Sequence, residues 1–276
     1  MKWIFNCARA MFAVKGMAVT IQNNYNIGMA RCLIEDDAWQ GEEPLRVALV
    51  TDFHASRGLW SGRLMAHMVK KEAVDLVCIV GDFFEPGVSY EEAMKFLAGV
   101  TTEVPVCYVT ERAEEGEHHL EGLKNVMSYH YGVEVLDGRK VVYNIKNTKV
   151  NVYGLRDRLE NQSKADWMDQ AEMLLDDKAE GYRMLLCHRQ ERMVLSDRLE
   201  KNIVISGRTR KGQCPMIENQ MLPAETFEEC DGKKGKKFSL SALKKQKDCE
   251  EEQPETHITN RPGLVIVEVD RPDELL

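Results

Sequence analysis

Apolar and polar positions along this chain follow two periods in turn. Arg46-Val-Ala-Leu-Val50, Leu76-Val-Cys-Ile-Val80 and Val104 to Thr110 are short, nearly unbroken apolar runs, the pattern of strands buried on both faces. Between and after them, Leu64, Met65, Met68 and Val69, then Ala93, Met94, Phe96 and Leu97, then Leu120, Leu123, Val126 and Met127 recur at helical spacing. Each set predicts an amphipathic helix, with Met65, Met68, Met94 and Met127 as core fillers. The chain then turns β-rich, with strands predicted at Val133 to Leu136, Val141 to Ile145 and Val150 to Leu155. A helix at Met168 to Leu175 is followed by strands at Met184 to Cys187, Ile203 to Ile205 and Leu264 to Val269. Strands alternating with helices predict a layered α/β protein.

The 276 residues carry 37 Lys and Arg against 45 Asp and Glu, a net charge of −8. An acidic total argues against duplex nucleic acid as the main partner, because that task wants a basic face. Eight cysteines lie scattered without paired spacing, several in apolar runs, which reads as reduced, buried thiols in a cytoplasmic protein. Within residues 1–19, Lys2, Arg9 and Lys15 interrupt Trp3, Ile4, Phe5, Met11, Phe12 and Val14. This segment is too broken to span a bilayer or serve as a signal peptide. It reads either as a short interfacial helix in peripheral membrane contact or as a plain docked terminus. Residues 20–276 are expected to form a single domain. Its stretch at about 225–255, rich in Lys and Glu, reads as a charged, mobile insertion.

The strands end in chemistry. Asp52 and His54 follow the first, Asp82 and Glu85 the second, and His188 ends a later one. Sites in layered α/β folds are built at strand ends. Alternate residues of an extended chain face opposite ways, so an Asp-x-His pair working together requires a bend directly after the strand. Carboxylate and imidazole together suit Zn, Mn or Fe, and Asp82 at a Gly-Asp corner is placed to bridge two ions. Taken singly, His54 is a loop histidine, His188 a core histidine, and Glu85 a turn residue before Pro86-Gly87. Glu111, Glu114, Glu115 and Glu117, with His118 and His119, read as a solvated acidic helix start, and otherwise as a source of replacement ligands.

At these residues the sequence resembles the calcineurin-like metallophosphoesterases, particularly their small bacterial branch. The segments that carry the resemblance are Val50-Thr-Asp-Phe-His54, Val80-Gly-Asp-Phe-Phe-Glu85, Val106-Cys-Tyr-Val-Thr110, Leu185-Leu-Cys-His-Arg189, Ser206-Gly-Arg-Thr-Arg-Lys-Gly-Gln213 and Asn260-Arg-Pro-Gly-Leu-Val-Ile266. The resemblance implies a four-layer αββα sandwich, two mixed β-sheets flanked by helices, with a dinuclear metal centre between strand ends. It assigns Asp52 and His54 to one metal, Asp82 to the bridge, His188 to the second metal, and Glu85 to a supporting place outside them. Where the family has Gly-Asn-His-Glu, this chain has Glu111-Arg112-Ala113-Glu114, so a metal-binding Asn is Arg112 and the general-acid His is Ala113. Where the family has Gly-His-x-His-Gly-Gly, this chain has Gly207-Arg208-Thr209-Arg210-Lys211-Gly212, and both metal-binding histidines are arginines.

Arginine stays charged and has no acceptor, so it cannot replace a metal ligand. Two outcomes remain open. Arg112, Arg208 and Arg210 fill the vacated centre as salt-bridge partners for its carboxylates and bind anions, leaving a degenerate family member whose partner is a phosphorylated small molecule or a protein. Alternatively, one divalent ion (Mn, Fe or Zn) at Asp52, His54 and Asp82 supports an active mononuclear phosphoesterase. A missing general acid alone costs about 10²- to 10⁴-fold, which favours the degenerate protein.

Overall fold

The computed structural model describes residues 9–14, 17–24, 27–51, 53, 61–85, 89–111, 114, 119–158, 162–176, 178–189, 202–208, 216–217 and 263–271, with the backbone alone at some of them. Its larger sheet contains β1 (Arg9–Val14), β2 (Met17–Asn24), β3 (Ile27–Glu35), β4 (Leu45–Thr51), β5 (Leu76–Val80), β6 (Val106–Val109) and β7 (Glu134–Val135). The smaller contains β8 (Arg139–Ile145), β9 (Thr148–Leu155), β10 (Tyr182–Arg189), β11 (Ile203–Arg208) and β12 (Met216–Ile217). The last strand, β13 (Gly263–Asp270), returns to the larger sheet. The strand orders are β1-β2-β3-β13-β4-β5-β6-β7 and β12-β11-β10-β9-β8. Both sheets are mixed: β4, β5 and β6 run parallel, as do β9, β10 and β11, while β13 is antiparallel to β4.

Period-2 alternation within the apolar runs separates the layers. Leu76, Cys78 and Val80 join Val47 and Leu49 in a core shared with Val152, Met184, Leu186 and Ile205 of the smaller sheet. Val77 and Ile79 face the other way, against Met65, Val69, Phe96 and Leu97. Those residues belong to α1 (Ser61–Lys71) and α2 (Glu91–Val100), and α3 (Leu120–Tyr131) adds Leu120 and Met127 to the same layer. On the far side, Leu155, Leu185 and Val204 pack against Trp167, Ala171 and Leu175 of α4 (Lys164–Leu175). Both faces of β5 are therefore covered, which is why its sequence is an unbroken apolar run. The result is the four-layer αββα sandwich expected. Five fully buried side chains in β5 represent on the order of 10 kcal/mol of apolar transfer before chain entropy is counted. That anchorage lets the strand's end carry a strained corner.

Residues 9–14 and 17–24 are strands, so of the two readings of residues 1–19 the interfacial helix does not hold at those positions. Only Lys15 and Gly16 separate the paired Val14 and Met17, a hairpin spacing. A short apolar run fits a helix or a strand equally, and here the edge of β3 supplies the ladder that decides it. Residues 1–8 and the 225–255 stretch lie outside the described residues. Among the described residues no helix is long and apolar enough to cross a membrane. Cys32, Cys78, Cys107 and Cys187 are buried and outside any disulfide, as expected, and burial pushes Cys32 and Cys107 up to about 12. The other four cysteines lie outside the described residues.

Candidate metal centre

Strand β5 ends in a corner. Gly81 (φ 67°) and Asp82 (φ 52°) both take left-handed backbone, which turns the chain sharply and aims the Asp82 carboxylate back over the strand ends. For a non-glycine residue this conformation costs on the order of 1 kcal/mol, and such strain collects at functional sites. Gly81 permits something further. A Cβ there would lie 2.2 Å from His188 Nδ1, and one at Gly207 would lie 2.2 Å from the Val80 carbonyl oxygen and 2.8 Å from His188 Nδ1. The imidazole of His188, on β10 and fully buried, sits in a slot that two absent side chains leave open.

His188 Nδ1 is 3.0 Å from the Val80 carbonyl oxygen. A carbonyl only accepts, so Nδ1 carries a proton and Nε2 is the ring atom left for a ligand. That atom faces two carboxylates, with Glu111 Oε1 at 3.5 Å and Asp82 Oδ2 at 3.7 Å. It makes no hydrogen bond of normal geometry, although it is buried. The three side chains bring ligand atoms within 4.8 Å of one another, and all three are buried. Among the described residues, His188 is the one polar contact of Asp82.

Glu114 holds this corner to the next. Its Oε1 accepts from the backbone N–H of Phe83 and Phe84 at 2.8 and 2.9 Å, and its Oε2 from Tyr108 O–H and Glu111 N–H at 2.9 and 2.8 Å. Burial pushes the Glu114 carboxyl up to about 7, against the pull of those donors. One residue before Glu111, Thr110 donates its N–H and hydroxyl to Asp137 at 2.9 and 2.6 Å, and Lys124 Nζ closes on the same carboxylate at 2.8 Å. Glu111 is thus fixed on both sides through its neighbours.

The expected solvated acidic helix start is corrected at its first members: Glu111 and Glu114 are each 1% exposed. A run of acids normally marks a wet surface, and only the fold shows that two of these turn inward. His119 stands exposed at the start of α3. Of the residues expected to form the site, Asp82 and His188 come together from different sheets, and Glu85 is half-buried at the end of the corner without joining the group. Asp52, His54, Arg112, Ala113 and Arg210 lie outside the described residues. Arg208 closes β11, paired in register with Arg189, and its side chain is likewise outside them.

No family model and no curated protein matches this sequence. Similar solved structures include TT1561 of Thermus thermophilus, at 12% identity and a TM-score of 0.36, covering 52% of this chain and 68% of that one. Another is the phosphopantetheinyl hydrolase PptH of Mycobacterium tuberculosis, at 12% identity and a TM-score of 0.35, covering 59% of this chain and 74% of that one.

Proposed function

We propose that this chain is a calcineurin-like metallophosphoesterase type of protein with a reduced metal centre, one that binds a phosphorylated ligand and hydrolyses phosphoesters weakly or not at all. One observation carries this: an aspartate at a left-handed strand-end corner of one sheet meets a buried histidine at a strand end of the other. Those are the two positions to which the sequence motifs assign the bridge and the second metal.

The donor types, a carboxylate and an imidazole nitrogen whose ring is already engaged at its other nitrogen, suit a divalent ion of the Mn, Fe or Zn group. When bound, such an ion supplies Lewis-acid polarisation of a phosphoryl oxygen. Asp82 and His188 would hold it, and the Val80 carbonyl keeps the ring oriented. Arg112, Arg208 and Arg210 follow strand ends in the sequence and offer guanidinium forks matched to phosphate oxygens. Ala113 has no proton to give a leaving group, which removes about 10²- to 10⁴-fold of rate. Reduced thiols in the core fit the cytoplasm as its location.

Two assays on the full chain test this: calorimetric titration with inorganic phosphate, and turnover of p-nitrophenyl and bis-p-nitrophenyl phosphate with Mn²⁺. Phosphate binding that weakens in Arg208→Gln and Arg210→Gln, with turnover at the detection limit, is expected. Robust turnover that disappears in Asp52→Asn and His54→Ala establishes an active mononuclear enzyme instead. Neither binding nor turnover overturns both.

A further inference from the structure

We propose that Glu111 is a metal ligand, and that the chain holds one divalent cation through the Asp82 carboxylate, the Glu111 carboxylate and His188 Nε2. Residue 111 stands where the resembling family has a glycine, so nothing in the motifs assigns it to a metal. The inference rests on the metal-binding half of the proposed function and is independent of phosphate binding and turnover.

Distance distinguishes a hydrogen bond at Nε2 from a shared ion. If Nε2 were protonated, the imidazolium would draw a carboxylate oxygen in to about 2.7–2.9 Å. Ligand atoms on a tetrahedral ion, with metal–nitrogen and metal–oxygen bonds of about 2.0–2.2 Å, stand about 3.4 Å apart. The observed separations from Nε2 are 3.5 Å to Glu111 and 3.7 Å to Asp82, the spacing of two ligands around an ion rather than of donor and acceptor.

Orientation agrees as well. Ligating histidines usually donate their second ring N–H to a carbonyl or carboxylate, and here Val80 plays that part. The glycine slot at Gly81 and Gly207 sets the ring plane. Glu111 is held by its own N–H on Glu114 and by the anchoring of Thr110 on Asp137, so its carboxylate reaches the cluster from a fixed backbone. Three protein ligands leave a fourth position open, as catalytic zinc sites do.

The test uses the full-length chain after EDTA dialysis, titrated with Mn²⁺ alone and read by loss of the free-ion EPR signal. Wild type is expected to take up one equivalent. Glu111→Gln, Asp82→Asn and His188→Ala should each weaken uptake by at least about 10-fold, while Asp169→Asn, an exposed acid on α4, should match wild type. Thermal melts identify any variant that does not fold. Should Glu111→Gln be one, Glu111→Asp keeps the charge on a shorter arm, and its uptake should fall between wild type and the His188 variant. Independently, ¹⁵N NMR of wild type should show a His188 ring with Nδ1 protonated and an Nε2 resonance that moves on adding Zn²⁺. Wild-type uptake of Mn²⁺ with Glu111→Gln unchanged overturns the role of Glu111 and leaves the proposed function standing. No uptake by wild type, or an Nε2 indifferent to Zn²⁺, overturns the site. Glu111-dependent uptake without phosphate binding or turnover overturns the proposed function and keeps this ligand.

Discussion

Alanine at Gly207 and at Gly122 should move stability in opposite directions. Gly207 precedes the end of β11, and its new Cβ would meet the Val80 carbonyl oxygen at 2.2 Å and His188 Nδ1 at 2.8 Å. An ordinary carbon contact is about 3.5–4.0 Å, so more than an ångström of overlap must be absorbed. The nearer atom is main chain in a strand buried on both faces, not the tip of a flexible side chain. Overpacking of this kind costs about 1–3 kcal/mol, and pushing Val80 away from the ring removes a hydrogen bond worth about 1 kcal/mol. Stiffening the unfolded chain returns about 0.4–1 kcal/mol. Gly207→Ala should therefore lose about 2–3 kcal/mol, within the stability of a typical domain. Gly122 lies exposed on α3 with nothing within 4 Å of its would-be Cβ. Alanine there should add about 0.5–1 kcal/mol from helix propensity and chain entropy. Urea unfolding of both variants in EDTA should separate them by about 3 kcal/mol. A Gly207→Ala midpoint within about 0.5 kcal/mol of wild type would mean that the histidine slot is not tight, and the orientation argued for His188 would fail with it.

Asp82→Gly relieves the left-handed strain at the corner, so in EDTA it should equal wild type or exceed it by about 1 kcal/mol while losing Mn²⁺ uptake; a clear drop in the urea midpoint contradicts this. Burial raises the Glu114 carboxyl from 4.5 to about 7 in the folded state, so its stabilising contribution is complete below pH 4.5 and declines as pH rises towards 7. The stability of wild type relative to Glu114→Gln should accordingly fall by about 3 kcal/mol between pH 4.5 and 7.5, and a difference that stays flat or grows refutes the assignment. Asp137→Ala removes the acceptor of the Thr110 N–H and hydroxyl and one of the two carboxylates on the buried Lys124, which keeps Glu121, at a cost of about 2 kcal/mol by urea unfolding. Adding Lys124→Met to it should recover part of that loss, and no recovery would show that Glu121 alone satisfies the ammonium.

Local pattern carried the layers of this protein. The runs that became β4, β5, β6, β9, β10 and β13 are apolar enough to require cover on both faces, and the methionine- and leucine-bearing helices between them supply that cover. That pattern predicts a layered α/β protein, the four-layer arrangement was what the resemblance of the motifs implied, and the polar stops at Asp82 and His188 marked the strand ends at which a site could form. Shorter, weaker segments were less legible. Residues 9–24 pair as strands because β3 offers a free edge, and hydrogen-bond partners of that kind do not appear in a chain's own periodicity.

Side-chain direction at Glu111 was the larger gap. In the chain it belongs to a run of acids beside two histidines, which by composition is a wet surface. It is buried because Glu114, three residues on, is already committed to the N–H groups of Phe83 and Phe84 and to Tyr108, and draws the Glu111 backbone inward against His188. Which donor types stand at strand ends is a matter of local order along the chain. Which of them meet within 4 Å depends on how two separately formed sheets stack, and stacking is set by long-range packing that no local window contains.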